Sequence, residues 1–233
     1  MVRSEGVRFK GMDIQGIGRQ NLVVEVNNGC LGMEGCHVSG GFNRDGGGAV
    51  RVSGSSARLT AGHTILHSGG CGLVVNYGKA NLRHCTVSNN GCVGVFVMRH
   101  GSKIEAIHTH IDNNQVPNIV VAEGDALLRH VTCNGSRQGS GIGVKGFPGS
   151  IVTVLHSEAR GNRVNGANAV LGASLELVHS HCTDNGGCGW CVRGSDSSIR
   201  AESSVAKGNK RGSIIEENGG RVICCGDPPC VID

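Results

Sequence analysis

The stretch LRHCTVSNNG, residues 82–91, reads as a polar loop with one histidine until the phrase returns as HTHIDNNQ (108–115), HSEARGNR (156–163) and HSHCTDNG (179–186). His84, His108, His130, His156 and His179 are separated by 24, 22, 26 and 23 residues. Three positions after each stand Val87, Ile111, Cys133, Ala159 and Cys182. Three further stand Asn90, Asn114, Asn162 and Asn185, and only the His130 phrase lacks its asparagine. The frame runs back through Gly11 and Ile14, Gly35 and Val38, and Gly62 and Ile65, with glycine in place of histidine, and forward to Ser203, Val205 and Asn209. This gives nine repeats and a terminal fragment. A regular period of this length is the mark of a stacked array.

Each repeat carries short apolar pairs at period two, such as Val95 and Val97, recurring as Val24/Val26, Val50/Val52, Leu73/Val75, Ile119/Val121, Ile142/Val144, Ala169/Leu171 and Trp190/Val192. Alternation bounded by Gly, Asn and Ser is a strand signal, and no window keeps the i, i+3, i+4 rhythm of a helix. A unit of about 23 residues with three short strands has no interior of its own, but coils stacked on one another share one. The predicted fold is all-β: a single-stranded parallel β-helix of nine to ten coils, one domain over residues 1–233, with coils over 7–223 and a C-terminal cap over 224–233. With strands about 4.8 Å apart the rod would be roughly 45 Å long.

Composition fits. Forty glycines in 233 residues demand many corners, and 38% apolar residues are too many for disorder. The net charge of +4 is spread along the chain, so no nucleic-acid footprint is expected. No run of 18 apolar residues offers a membrane span, and MVRSEGVRFK does not read as a signal peptide. The twelve cysteines mostly sit singly in apolar patterns, as reduced thiols do, which places the chain in an intracellular, cytoplasmic compartment.

Phrases such as LRHCTVSNNGCVGVFV (82–97) and LVHSHCTDNGGCGWCV (177–192) resemble the right-handed parallel β-helix superfamily, pectate-lyase-like, with the short repeats seen in β-helical F-box and Shc-binding proteins. The resemblance covers residues 7 to about 223. It implies a right-handed coil and a polar corner at the histidines, and leaves function open, because the fold hosts lyases, hydrolases, epimerases and binding modules.

On this reading His84, His108, His130, His156 and His179 form a structural ladder of neutral imidazoles, each giving and accepting one hydrogen bond at the corner. The functional alternative is a metal or proton-relay column, but a metal needs ligands converging on a point and a ladder spreads them along a line. No metal or other cofactor is therefore expected. Asn90, Asn114, Asn162 and Asn185 read as turn residues, since asparagine tolerates a left-handed backbone and bonds its own corner.

Placing Val75, Val97, Val121, Val144, Leu171 and Val192 inward leaves Glu25, Arg51, Val74, Phe96, Val120, Gly143, Val170, Cys191 and Ile214 outward. That face lacks the carboxylate pair of a glycosidase and the acidic calcium cluster of a lyase. Its strip Val74, Phe96 and Val120 is the predicted contact surface, unless neighbouring turns near 43–48 and 137–141 cover it. A second outward run, Thr86, His110, Thr132, Glu158 and His181, holds His110, Glu158 and His181 as a candidate polar site.

Cys188-Gly-Trp-Cys191 has redox spacing but runs into a strand, so it reads as core together with Cys71 and Cys92. The tail CCGDPPC, with Cys224, Cys225 and Cys230, reads as a cap. The first coil has little before it to cover its edge, which suggests a homo-oligomer, a larger parent chain or a partner at that end. The function expected from sequence is a non-catalytic binding or assembly module contacting protein or carbohydrate, with a polysaccharide-active enzyme, lyase- or epimerase-like, as the alternative.

Overall fold

The computed structural model describes residues 6–16, 22–41, 47–146 and 150–233. One coil shows the plan: strands Lys79–Arg83, Thr86–Val87 and Val95–Met98 follow one another, and each pairs in parallel with its counterparts in adjacent coils. Repetition builds a ten-stranded long sheet, a nine-stranded third sheet, and between them a short sheet in two four-stranded blocks. The single-residue bridges Thr86–His110, His110–Thr132 and Thr132–Glu158 join the two blocks. The fold is a parallel β-helix without a helical segment among the described residues, as the repeat requires.

Alternation along each strand decides what is buried. In Lys103–Ile107, Ile104 and Ala106 point inward and Lys103 outward; in register with Ile104 lie Ala80 and Ala126, and with Ala106 lie Leu82 and Leu128. Each inward position therefore stacks on apolar residues above and below, and one continuous core runs the length of the rod. The inward column of the third sheet contains Ala169, not Leu171. Strand Ala167–Val170 ends before Leu171, which has φ +60° and is 72% exposed, so the outward residues of the last coils are Asn168 and Ile215 instead of Val170 and Ile214.

Between the long and short sheets every coil turns on one left-handed residue: Gly11, Gly35, His63, His84, His108, His130, His156, His179, Ser203 and Gly226, with φ from +45° at Ser203 to +100° at Gly226. Histidine is among the few side chains that accept this region, which is why it recurs where glycine would otherwise stand. The third coil corrects the sequence frame by one residue: Gly62 pairs with Arg83, so His63 holds the corner and Leu66, not Ile65, points inward. The tail corrects another boundary. Arg221–Cys225 is a long-sheet strand and Val231–Ile232 a short-sheet strand, so residues 224–233 continue the winding instead of capping it.

The second corner is held by buried amides. Asn90 Nδ2 donates to Asn114 Oδ1 (2.8 Å), Asn162 to Asn185 (3.0 Å) and Asn185 to Asn209 (2.9 Å), while the backbone N–H of each donor residue bonds the same oxygen. The left-handed residues here are the preceding ones, Asn89, Asn113 and Asp184, so the ladder asparagines link coils and do not close their own turns. The missing rung of the His130 coil is filled by Asn118, which accepts from Asn114 Nδ2 (2.9 Å) and donates to Asn162 Oδ1 (3.1 Å).

Two losses of stability follow. Leu128→Ala, at a site with no exposure, should cost about 3 kcal/mol in urea denaturation. Asn162→Ala strips acceptors from Asn118 Nδ2 and the Ser136 N–H and a donor from Cys133 O, and should cost about 2 to 3 kcal/mol by the same measurement.

Candidate functional site

The left-handed corner throws its side chain outward. His63, His84, His108, His130, His156 and His179 therefore form one column of stacked imidazoles, with ring centroids 4.7–5.3 Å apart and planes within 3–14° of parallel. The rings are exposed, and the hydrogen bonds expected of a closed corner are absent among the described residues: the backbone fold, not the imidazole, closes this turn. The next residue inward does the bonding. Thr64, Thr109, Ser157, Ser180 and Ser204 are buried, and their hydroxyls accept from the backbone N–H of Cys36, Cys85, Val131, Ser157 and Ser180 in the preceding coil. That small, buried partner is the sequence signal that would have placed His63 in the column.

One ring is perturbed. His130 titrates below the 6.5 of a free imidazole, because its two faces lose hydration between neighbours although its edge is open, and because His108, His156 and Arg129 oppose a further positive charge. Outside the column, the long sheet presents Arg83, Ile107 and Arg129 in register, so cations stand beside His84 and His130.

On the other side lies the short sheet's outer row. Thr86, His110, Thr132, Glu158 and His181 occupy successive coils in register, as the sequence placed them. Asp112, missed in the sequence, organises the upper part: it accepts from the Thr132 hydroxyl (2.7 Å) and the Asn134 N–H (2.7 Å). Since the Thr132 hydroxyl donates to Asp112, it accepts from His110 Nδ1–H (3.0 Å), which fixes that ring's tautomer. Below it, His130, Thr132, His156, Glu158, His179 and His181 line an open groove of about 340 Å³. The structure thus brings Glu158 and His181 together, with His110 two coils from Glu158. Among the described residues no three His, Cys, Asp or Glu side chains converge as a metal cage.

The strand face is not the open strip expected. Val74 is 1% and Val120 8% exposed, with Phe96 half-buried, because Cys71 at the start of its strand and Cys92, Val93 and Val116 from flanking turns pack with them in a second apolar cluster. Of the turns considered as covers, residues 43–46 lie outside the described residues. Cys71, Cys92, Cys188 and Cys191 are likewise outside the main core, which takes Cys36, Cys85, Cys133 and Cys182 instead.

The imidazole column has a direct signature. A proton-NMR titration should give His130 a midpoint below 6.5, and His108→Asn, which keeps a left-handed-tolerant residue but removes one neighbouring charge, should move that midpoint upward. Because the folded state disfavours protonation, this group's contribution to stability is present above 6.5 and is lost as pH falls through the lowered folded value.

Comparison with known proteins agrees with the coil geometry. The family model described as "Right handed beta helix region" matches residues 22–180. No curated protein sequence matches. Among solved structures, the A-module of mannuronan C-5 epimerase AlgE4 from Azotobacter vinelandii superposes with a TM-score of 0.61 at 14% identity, over 84% of this chain and 60% of that one. The periplasmic alginate epimerase AlgG gives a TM-score of 0.39 at 10% identity, over 89% of this chain and 79% of that one. At 14% identity the likeness to the AlgE4 module is one of fold, and the chain spans 60% of that module's length. No helix among the described residues is long and apolar enough to cross a membrane. Parallel coils, left-handed corners and the match over residues 22–180 together place this chain in the right-handed β-helix family.

Proposed function

We propose that this protein is a β-helical binding module for an acidic polysaccharide, which lies along the imidazole column and its groove. The observation that carries the reading is the column itself: six exposed rings repeat once per coil at 4.7–5.3 Å, an advance comparable to one pyranose of an extended chain. Arg83 and Arg129 flank it on the long-sheet side, and Thr86, His110, Thr132, Glu158 and His181 offer donors and acceptors to hydroxyl groups on the other. Glu34 and Glu202 stand near its ends, so the positive stretch is bounded. The packing over Val74 and Val120 favours this face over the strand strip. The fold shared with a mannuronan epimerase module supports a polysaccharide as ligand. Twelve free thiols support a reducing, intracellular compartment.

Charge sets the pH dependence. A bound polyanion favours imidazolium, so affinity for a polyuronate should rise about tenfold between about pH 7.5 and about pH 5.5, with proton uptake on binding. Calorimetry in buffers of different ionisation heat measures both. The double variant His108→Asn/His130→Asn should lose part of the pH dependence, and neutral dextran should not bind. Equal affinity for neutral and acidic polymers, or none for either, would sink the reading.

A second reading rests on Glu158 and His181 lying side by side in the groove, as an acid–base pair would. A polysaccharide-active enzyme, lyase- or epimerase-like, predicts unsaturated ends or inverted uronate centres that appear with the native chain and vanish in Glu158→Gln; polymers recovered unchanged refute it.

A further inference from the structure

Cys71 and Cys92 belong to neither the column nor its groove. Cys71 opens strand Cys71–Asn76, and Cys92 sits in the corresponding turn of the next coil. Backbone bonds bracket them: the Cys92 N–H donates to Gly70 O (3.1 Å), and the Gly72 N–H donates to Val93 O (3.2 Å). The two thiols thereby face one apolar cluster from adjacent coils, near enough to interact with each other and with the Val93 N–H. Val74, Val93 and Val120, with Phe96, Met98 and Val116, wall the pair with apolar surface. Cys71 is 1% exposed, whereas Cys92 is half-buried and open to small molecules.

We propose that Cys92 and Cys71 form a two-thiol oxidation site, with Cys92 the nucleophile toward a hydroperoxide and Cys71 the thiol that closes the disulfide. The electrostatics suit these roles. The interaction with Cys71 lowers Cys92 against the opposing effect of burial, with further help from the Val93 N–H, and so favours the thiolate at Cys92. The same interaction, together with burial, raises Cys71 and holds its proton.

In the first step the Cys92 thiolate attacks the distal oxygen of the hydroperoxide. The O–O bond breaks, the alkoxide (hydroxide, for hydrogen peroxide) leaves and takes a proton from water, and Cys92 becomes a sulfenic acid. In the second step the Cys71 sulfur, giving up its proton, attacks the Cys92 sulfur. The S–O bond breaks and hydroxide leaves with that proton as water. Two thiols lose two electrons, and the hydroperoxide is reduced to an alcohol, or water, plus one further water. The other close thiols are built differently. Cys188 donates to Asn165 Oδ1 (3.2 Å) and Cys191 is only 3% exposed, while in the tail burial and the neighbouring Cys230 push the exposed Cys224 up to about 11, so Cys92 is the accessible thiol poised to react.

Peptide mapping of the whole chain after one equivalent of hydrogen peroxide tests the site. The expected product is a Cys71–Cys92 linked peptide, reversed by dithiothreitol. In Cys71→Ser the sulfenic acid should persist and take a dimedone label at Cys92, and Cys92→Ser should abolish both products. Should Cys71→Ser fold poorly, alkylation of the native chain decides: iodoacetamide near pH 6.5 should label Cys92 about tenfold faster than the exposed Cys30. Oxidation that begins at another cysteine, or equal alkylation of Cys30 and Cys92, would overturn the proposal.

Discussion

A parallel coil has to reverse its direction in a single residue without losing backbone hydrogen bonds, and here that demand falls on the left-handed corner between the long and short sheets. Ten residues in that conformation, one per coil, hold the two sheets in register. Only glycine, or a few side chains that accept positive φ, can stand there. Because the corner points its side chain outward and the coils are stacked one strand spacing apart, any repeated aromatic placed there must lie face to face with its neighbours. The imidazole column is thus a geometrical consequence of the corner before it is anything else.

Directly behind that column the backbone is satisfied from within. Hydroxyls of Thr109, Ser157, Ser180 and Ser204 bond the coil before them, and the asparagine amides do the same at the next corner. Buried polar groups without partners would cost more than the apolar stacking of such short strands returns. Internal bonding and surface chemistry are therefore divided by depth. Small hydroxyls and amides hold the coils from inside, and imidazoles, arginines and the Glu158 and His181 side chains stand on the outer surface.

The period of the histidines made the fold legible, since spacing near 23 residues with alternating apolar pairs leaves few other arrangements. Alternation also placed the outward row from Thr86 to His181 correctly. What it did not reveal came from shifts of one or two residues and from contacts between coils. Gly62 and His63 both satisfy a left-handed preference, and only pairing with Arg83 chooses between them. Ala169/Leu171 alternates as well as Ala167/Ala169 does, and the backbone at Leu171 decides. Cover over Val74 and Val120 depends on how turns from neighbouring coils fold back, which has no local signature. Asp112 escaped notice because its partners, Thr132 and Asn134, lie a full coil away in sequence.

Asn118 carries a consequence for how such a chain can change over time. Its amide stands in for the asparagine that the His130 coil does not have, bonding Asn114 on one side and Asn162 on the other. Repeats in an array of this kind are ordinarily interchangeable modules, duplicated or deleted singly with little harm to the remainder. Here the lender and the borrower are bound together: exchanging either coil by recombination would leave a gap in the amide chain or force two side chains into one place. The two coils are coupled through Asn118, so neither can be exchanged without rebuilding the amide chain.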